Sequence, residues 1–170
     1  VYKRQIQTPT VIIGGDSATI SGSNTSWLAV REMTSTDDEG SLLFTIDFLD
    51  PSGNAGSQVI STTDGSGVVF DRTNPAINSA SISSNNNNYS TLAKVSDKVS
   101  VAITSNESIQ YLTVSIGGMS ATVSGATSSW TAARNMISGD ADGTLPFTID
   151  YMDMAGNDGT QVHRQRITQA

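Results

Sequence analysis

Three observations predict that this chain folds as an all-β protein: its composition, its alternation of apolar and polar residues, and a long internal repeat. Charged residues make up only 15% of the 170 residues, while serine, threonine, asparagine, glycine and valine are frequent. Such a composition favours short strands joined by glycine and asparagine turns over bundles of helices. The alternation predicts strands that bury one face, so the chain is able to form a core.

The internal repeat has a period of 103 residues, which is the separation of Trp27 and Trp130. About half of the positions from 13 to 59 are identical in the second copy. The period indicates two copies of a domain of about 100 residues rather than a short solenoid repeat. The same shift aligns the following phrases without a gap: "IGGDSATISG" (13–22) with "IGGMSATVSG" (116–125), and "FTIDFLDPSGNAGSQV" (44–59) with "FTIDYMDMAGNDGTQV" (147–162).

Each period predicts seven strands separated by turn-rich segments. Seven short strands with turns about every 8–12 residues are typical of an immunoglobulin-like β-sandwich. Within "FTIDY" (147–151), Phe147, Ile149 and Tyr151 share one face, which we expect to meet the opposite sheet, while Asp150 faces water. In the second copy the predicted strands are "AINSASIS", "KVSVAITS", "YLTVSIG", "SATVSG", "WTAARNM", "LPFTIDYMD" and "TQVHRQRI".

The two copies differ in length at their N-terminal ends. The second begins near Pro75 and has two predicted strands before "TVSIGG", whereas the first has almost nothing before "TPTVIIGG". We therefore expect a partial domain at 6–71 that lacks its first strands, a linker at 72–75 and a second domain at 76–170. A sandwich without its first strands exposes sheet edges and core, so the first copy is either unstable alone or completed by further chain.

Both ends of the chain depart from the repeat. "VYKRQ" (1–5) has no counterpart in the second copy and resembles the translated end of a sequencing adapter joined to a metagenomic fragment. We expect a non-native leader here; the alternative is a natural basic strand. At the other end, "HRQRITQA" (163–170) diverges from the first copy, which favours either a frameshift or a specialised end.

The repeated phrases resemble the tandem bacterial Ig-like repeats of large surface proteins and adhesins. Those repeats commonly carry an "FTI-x-[FY]-x-D-x-x-GN" segment and a "D-x-T-x-P" linker, matched here by 44–54 and by 71–75, with Asn74 where the family often has alanine. Pro75 fixes its own φ and favours an extended Asn74, so the junction is predicted to be short and semi-rigid. The resemblance covers nearly the whole chain outside its two ends.

The resemblance implies a function by architecture. Such modules are structural spacers on the bacterial cell surface or in secreted proteins, and they project a binding region elsewhere in the chain. The implied partners are neighbouring Ig-like repeats of the same chain. The alternative is an accessory module of a secreted enzyme, directed at carbohydrate, which would need exposed aromatics. Only 6% of the chain is aromatic, and we expect Trp27 and Trp130 in the core rather than on a sugar-stacking platform.

Charge and motifs exclude several classes of function. A net charge of -7 argues against nucleic acid as a partner, and no apolar run approaches the roughly 20 residues of a membrane-spanning helix. A hydrolytic triad needs a base, yet the single histidine, His163, lies in the divergent end and is expected at the surface. "DGSG" (64–67) predicts a hairpin turn. The carboxylate pairs Asp47/Asp50 and Asp150/Asp153 occur in both copies, which favours a structural or metal role over one active site, so we expect no enzyme.

Carboxylates are frequent enough to predict a calcium site. Asp37, Asp38 and Glu39 align with a second group around Asp140 and Asp142, but an EF-hand reading fails because Ile149 stands where the bidentate glutamate belongs. A site where one module meets the next is the other form that calcium binding could take, as in the calcium-stiffened bacterial Ig-like adhesins that the chain resembles. The spacing favours the reading that these acids solvate turns and strand faces, with calcium as the alternative. The candidate ligands are Asp71, Asp50, Asp153, Asp140 and Asp142.

Overall fold

The computed structural model describes the backbone of residues 5–169 and the side chains of residues 5–163. The predicted leader therefore lies outside the described residues except for Gln5. The chain divides into two compact units between Arg72 and Thr73, inside the segment 72–75 assigned above to a linker. We refer to the residues up to Arg72 as unit 1 and to those from Thr73 as unit 2.

The prediction of an all-β fold is confirmed, since residues 5–169 contain strands, turns and bends but no helix. It follows that no described helix has the length and hydropathy needed to cross a membrane. All seven strands predicted for the second copy are present. Two strands of two residues each, at 92–93 and 119–120, were not predicted.

The described residues of unit 1 form seven short strands in three small antiparallel sheets. The sheet orders are β2-β1-β6, β3-β4 and β5-β7. The strands are β1 (Thr10–Ile13), β2 (Asp16–Ser17), β3 (Thr19–Ser23), β4 (Ser26–Val30), β5 (Gly40–Ser41), β6 (Phe44–Asp47) and β7 (Val69–Phe70).

Unit 2 contains nine strands in two larger sheets, ordered β13-β14-β10-β8 and β12-β11-β15-β16-β9. The pairs are antiparallel except β16 with β9, which is parallel. The strands are β8 (Ile77–Ser84), β9 (Leu92–Ala93), β10 (Lys98–Ser105), β11 (Ile109–Ile116), β12 (Met119–Ser120), β13 (Thr122–Ala126), β14 (Ser129–Asn135), β15 (Gly143–Asp153) and β16 (Val162–Gln169).

The two sheets of unit 2 share one core, which makes the unit β-sandwich-like. Alternate residues of β10 from one sheet and of β15 from the other are buried together. As predicted, the aromatic face of "FTIDY" is buried and Asp150 is exposed. The central buried side chains are Val99, Val101, Ile103, Ile116, Ala132, Met136, Phe147 and Ile149.

Unit 1 repeats only part of this arrangement. The β3-β4 sheet corresponds by sequence to β13-β14, but among the described residues of unit 1 no strand takes the places of β10 and β8. Ile13, Ala29 and Ile46 are half-buried, whereas the aligned residues of unit 2 are fully buried. The core of the described part of unit 1 is therefore more open than that of unit 2.

Candidate functional site

The repeated segment "D-x-x-G-N" forms a loop organised by its aspartate in both units. Asp153 Oδ1 accepts hydrogen bonds from the backbone N–H groups of Ala155 (2.8 Å), Gly156 (2.7 Å) and Asn157 (2.8 Å). Its Oδ2 accepts the side-chain amide of Asn157 at 2.8 Å. An aspartate that captures the backbone two to four residues ahead closes a tight turn by itself.

The matching loop of unit 1 is built in the same way. Asp50 Oδ1 accepts the backbone N–H groups of Ser52 (2.8 Å) and Asn54 (2.9 Å), and Oδ2 accepts the Asn54 side-chain amide at 2.9 Å. Gly53 has a φ of 87° and Gly156 a φ of 97°, a conformation that favours glycine. The three identical letters of the motif therefore all serve the loop itself.

The electrostatics of these loops favour ionised aspartates. Hydrogen bonds from the side chain and backbone of Asn54 hold the pKa of Asp50 below its ordinary value. Burial raises the pKa of Asp153, which is only 1% exposed, but hydrogen bonds from the Asn157 side chain and from the loop backbone outweigh it and leave the pKa lowered.

The rest of the repeated phrase packs the loop onto its strand. A Cβ atom at Gly56 would lie 2.1 Å from the ring of Phe48, and one at Gly159 would lie 2.0 Å from the ring of Tyr151. These glycines are needed because the aromatic ring lies directly against the backbone.

The two exposed aspartates of the repeated segment, Asp47 and Asp150, each accept hydrogen bonds from a glutamine of the same unit. The Gln58 side-chain amide donates to both carboxylate oxygens of Asp47 at 3.0 Å, and the Gln161 amide donates to Asp150. Both aspartates are exposed. The carboxylates of Asp47 and Asp150 are thus bound within their own units.

A second pair of repeated acids forms ion pairs with repeated arginines. Arg134 Nη2 lies 2.7 Å from both carboxylate oxygens of Asp140, and both side chains are at least nine-tenths buried. The backbone N–H of Ile137 also donates to Asp140 at 2.8 Å, and Arg134 Nη1 donates to the carbonyl of Ile116 at 3.1 Å. Burial raises the pKa of Asp140, and the hydrogen bonds from Arg134 and Ile137 overcome this and lower it.

Unit 1 contains the same ion pair between Arg31 and Asp37. The hydrogen bond from Arg31, then that from the Thr34 backbone N–H at 2.6 Å, lowers the pKa of Asp37. Asp16 adds a second, exposed carboxylate 2.6 Å from Arg31. Its place in unit 2 is taken by Met119, so only unit 1 has this additional acid.

The remaining candidate ligands, Asp142 and Asp71, differ in exposure. Asp142 is exposed in the turn before β15, and Asp71 is half-buried at the end of unit 1. The predicted site that joins Asp71 to Asp50 or Asp153 stays a prediction.

The candidate carboxylates differ in how far hydrogen bonds and ion pairs already occupy the oxygens that a cation would need. The Arg134 guanidinium already neutralises Asp140, and Asp153 Oδ1 already accepts three hydrogen bonds. Asp153 Oδ2 accepts one hydrogen bond from Asn157, so it has lone-pair capacity for a calcium ion. Of the buried candidates, Asp153 is therefore better suited than Asp140 to ligate a metal.

One buried acid, Asp97, was not singled out from the sequence because its segment has no first copy. It accepts the backbone N–H of Lys94 (3.0 Å) and the side-chain amide of Asn86 (2.8 Å). The Lys94 backbone bond, then the Asn86 bond, lowers its pKa. The run of asparagines before it was the available signal, since one of them orders the loop between β8 and β9.

The residues weighed for catalysis and sugar binding lie in different settings. His163 is exposed on β16, as predicted. Trp130 is half-buried against the core of unit 2. Trp27 is also half-buried, but it lines an open groove rather than a closed core. Tyr89 and Tyr111, which were not singled out, are 66% and 57% exposed.

Comparison with known proteins adds no family assignment. No protein-family model matches the chain, and no curated protein is similar to it.

Proposed function

We propose that the chain is part of a structural spacer, in which Ig-like repeats of a secreted or cell-surface bacterial protein project a binding region elsewhere in the same chain. One observation supports this most strongly. The residues that the two copies share are used for internal contacts in both units, namely the loop of Asp50 and Asp153 and the ion pairs of Asp37 and Asp140.

This use of shared residues distinguishes a spacer from an active site. Repeats selected for a reaction share reactive groups, whereas repeats selected for shape share turns, caps and close packing. Gly56 and Gly159, which admit an aromatic ring against the backbone, are of the second kind. The resemblance to bacterial Ig-like repeats supports the same function and the extracellular location.

Scattering from arrays of the repeat tests the proposal. Arrays of two, four and six copies of residues 73–169 are compared by small-angle X-ray scattering. A spacer with short, semi-rigid Pro75 junctions predicts a longest dimension that grows in proportion to the number of copies, whereas flexible junctions give growth nearer the square root. Growth as the square root would contradict a rod-like spacer.

The two exposed tyrosines give the accessory-module alternative one observation in its favour, since sugar rings stack on exposed aromatics. A glycan array probed with the full chain decides between the two. The spacer proposal expects no saturable binding. Binding that is lost in Tyr89→Ala or Tyr111→Ala would overturn it in favour of a carbohydrate-binding module.

A further inference from the structure

Unit 1 has an open apolar groove of about 360 Å³ beside strand β4. Trp27 and Ala29 of β4 line it on one side, and Val11, Ile46 and Phe48 line it on the other. Val11 is buried, but the other four residues are only half-buried. Strand β4 pairs with β3 alone among the described residues, so one of its edges offers unpaired backbone groups along the groove.

Unit 2 shows what fills the same place when the fold is complete. Strand β14 aligns with β4, and it pairs antiparallel with β10 along its whole length. Val101 lies opposite Ala132, and Ile103 lies opposite Trp130. Both β10 side chains are no more than 1% exposed, while the Ala102 between them points outward.

The alignment transfers this register onto unit 1. Ala132 corresponds to Ala29 and Trp130 to Trp27, and both of these β4 residues line the groove. A strand in the place of β10 would therefore place one branched apolar side chain against Ala29 and the side chain two residues further along against Trp27. It would also satisfy the free edge of β4 by main-chain hydrogen bonds.

The tryptophans show a related difference. Trp130 Nε1 donates to the carbonyl of Thr127 at 3.2 Å. Trp27 Nε1 is buried without a hydrogen-bond partner among the described residues. The indole of Trp27 in unit 1 thus lacks the hydrogen bond that its counterpart in unit 2 makes.

We propose that the groove of unit 1 is a binding site for one extended β-strand. The bound strand has branched apolar side chains on alternate residues, as in "KVSVAITS" (98–105), and it adds to β4 in the antiparallel register that β10 adopts on β14. This site goes beyond the spacer function and does not depend on it.

A peptide with the sequence of Lys98–Ser105 tests the proposal on the full chain. The chain contains two tryptophans, so its ¹⁵N-correlated NMR spectrum has two indole signals. We expect saturable binding that shifts the Trp27 indole signal and leaves the Trp130 signal in place. No binding, or equal shifts of both signals, would overturn the proposal.

Changes in the peptide test the register without affecting the fold of the protein. Replacing the residues equivalent to Val99, Val101 and Ile103 by serine removes the inward face, and we expect binding weaker by about tenfold or more. The peptide can be N-methylated on either of two alternating sets of residues. Only one of these sets has N–H groups that point at β4, so only methylation of that set should weaken binding to a similar extent. Equal binding by all these peptides would indicate nonspecific association and would contradict the site.

Two variants with the same added charge test the protein side. Ala29→Glu places a carboxylate in the groove and should abolish peptide binding. Val30→Glu places it on the opposite, exposed face of β4 and should leave binding within about twofold of the original chain. Binding retained in Ala29→Glu, or lost equally in both variants, would overturn the assignment of the groove.

Discussion

Units 1 and 2 are identical at about half of 47 aligned positions, from 13–59 to 116–162, yet they bury the shared residues to different degrees. Ile149 is fully buried and Phe147 is 2% exposed, while the aligned Ile46 and Phe44 are half-buried. The difference arises from β8 and β10, which cover one side of the core in unit 2 and have no counterpart among the described strands of unit 1. Burial is thus a property of the assembled sheets, and an identical residue can belong to a closed core or line an open groove.

The local loops, in contrast, are nearly the same in both units. The Asp50 and Asp153 loops form the same hydrogen bonds to backbone and asparagine, and the two Arg–Asp pairs recur. These contacts connect residues two to six positions apart, so they need no strand from elsewhere. The comparison separates what a short stretch of sequence builds alone from what requires the complete sandwich.

The largest expected difference between the units is at the matched core isoleucines. Ile149→Ala leaves a cavity in a closed core and should lower the free energy of unfolding of unit 2 by about 2–5 kcal/mol. Ile46→Ala should lower that of unit 1 by less, since its side chain keeps contact with solvent. Urea unfolding followed by tryptophan fluorescence measures both, in Trp27→Phe and Trp130→Phe backgrounds that report on one unit each. Equal losses would show that the two cores are equally closed.

The loop aspartates should give the next largest effect. Asp153→Ala removes a carboxylate that is 1% exposed and that accepts three backbone N–H groups of its loop, so we expect a loss of about 2 kcal/mol or more in the stability of unit 2. Asp50 is more exposed, and water can replace it, so Asp50→Ala should cost less. Asp158→Ala, at an exposed position of the same loop region, is the control and should be nearly neutral. A neutral Asp153→Ala would refute the structural role of this carboxylate.

A bound calcium ion would increase the free energy of unfolding beyond what the Asp50 and Asp153 loops contribute. At 100 times its dissociation constant, an ion that binds only the folded state stabilises it by about 2.7 kcal/mol, which raises the melting temperature by several degrees. We expect this rise in calcium relative to EDTA, and its loss in Asp71→Asn but not in Asp158→Asn. Equal melting temperatures in calcium and EDTA would instead leave the candidate acids as turn and strand residues.

The smallest expected effect is a dependence of stability on pH. The pKa values of Asp97, Asp140 and Asp153 are lowered in the folded state, so the unfolded chain binds protons more readily. Their stabilisation is complete above the ordinary carboxyl pKa of about 4 and is lost as the pH falls through the lowered values. Unit 2 should therefore unfold at nearly constant urea concentration from about pH 7 to 5 and more easily below about pH 4. In Asp153→Asn the acid-induced loss should be smaller, and an unchanged loss would contradict this assignment.

The sequence predicted the strands well because their signals are local. The alternation in "FTIDY" correctly assigned Phe147 and Asp150 to opposite faces, and the 103-residue period matched β3 and β4 to β13 and β14. The sequence did not decide whether Asp153 is a metal ligand or caps its loop, because residue spacing does not show which N–H groups converge on a carboxylate. The pairing of Arg134 with Asp140 depends likewise on the turn between them. The burial of Trp27 depends on which strands lie beside β4, and the sequence around Trp27 does not show this.

Hydrogen exchange at the matched strands β4 and β14 tests the central claim most directly, since each amide reports whether it is hydrogen-bonded and covered. The account predicts that all central amides of β14, which lies between β13 and β10, are protected to a similar high degree. In β4, alternate amides on the edge away from β3 should exchange close to the rate of an unprotected chain, and addition of the 98–105 peptide should slow them. Equal protection of β4 and β14 without the peptide would mean that the edge is already covered, and it would contradict the open groove.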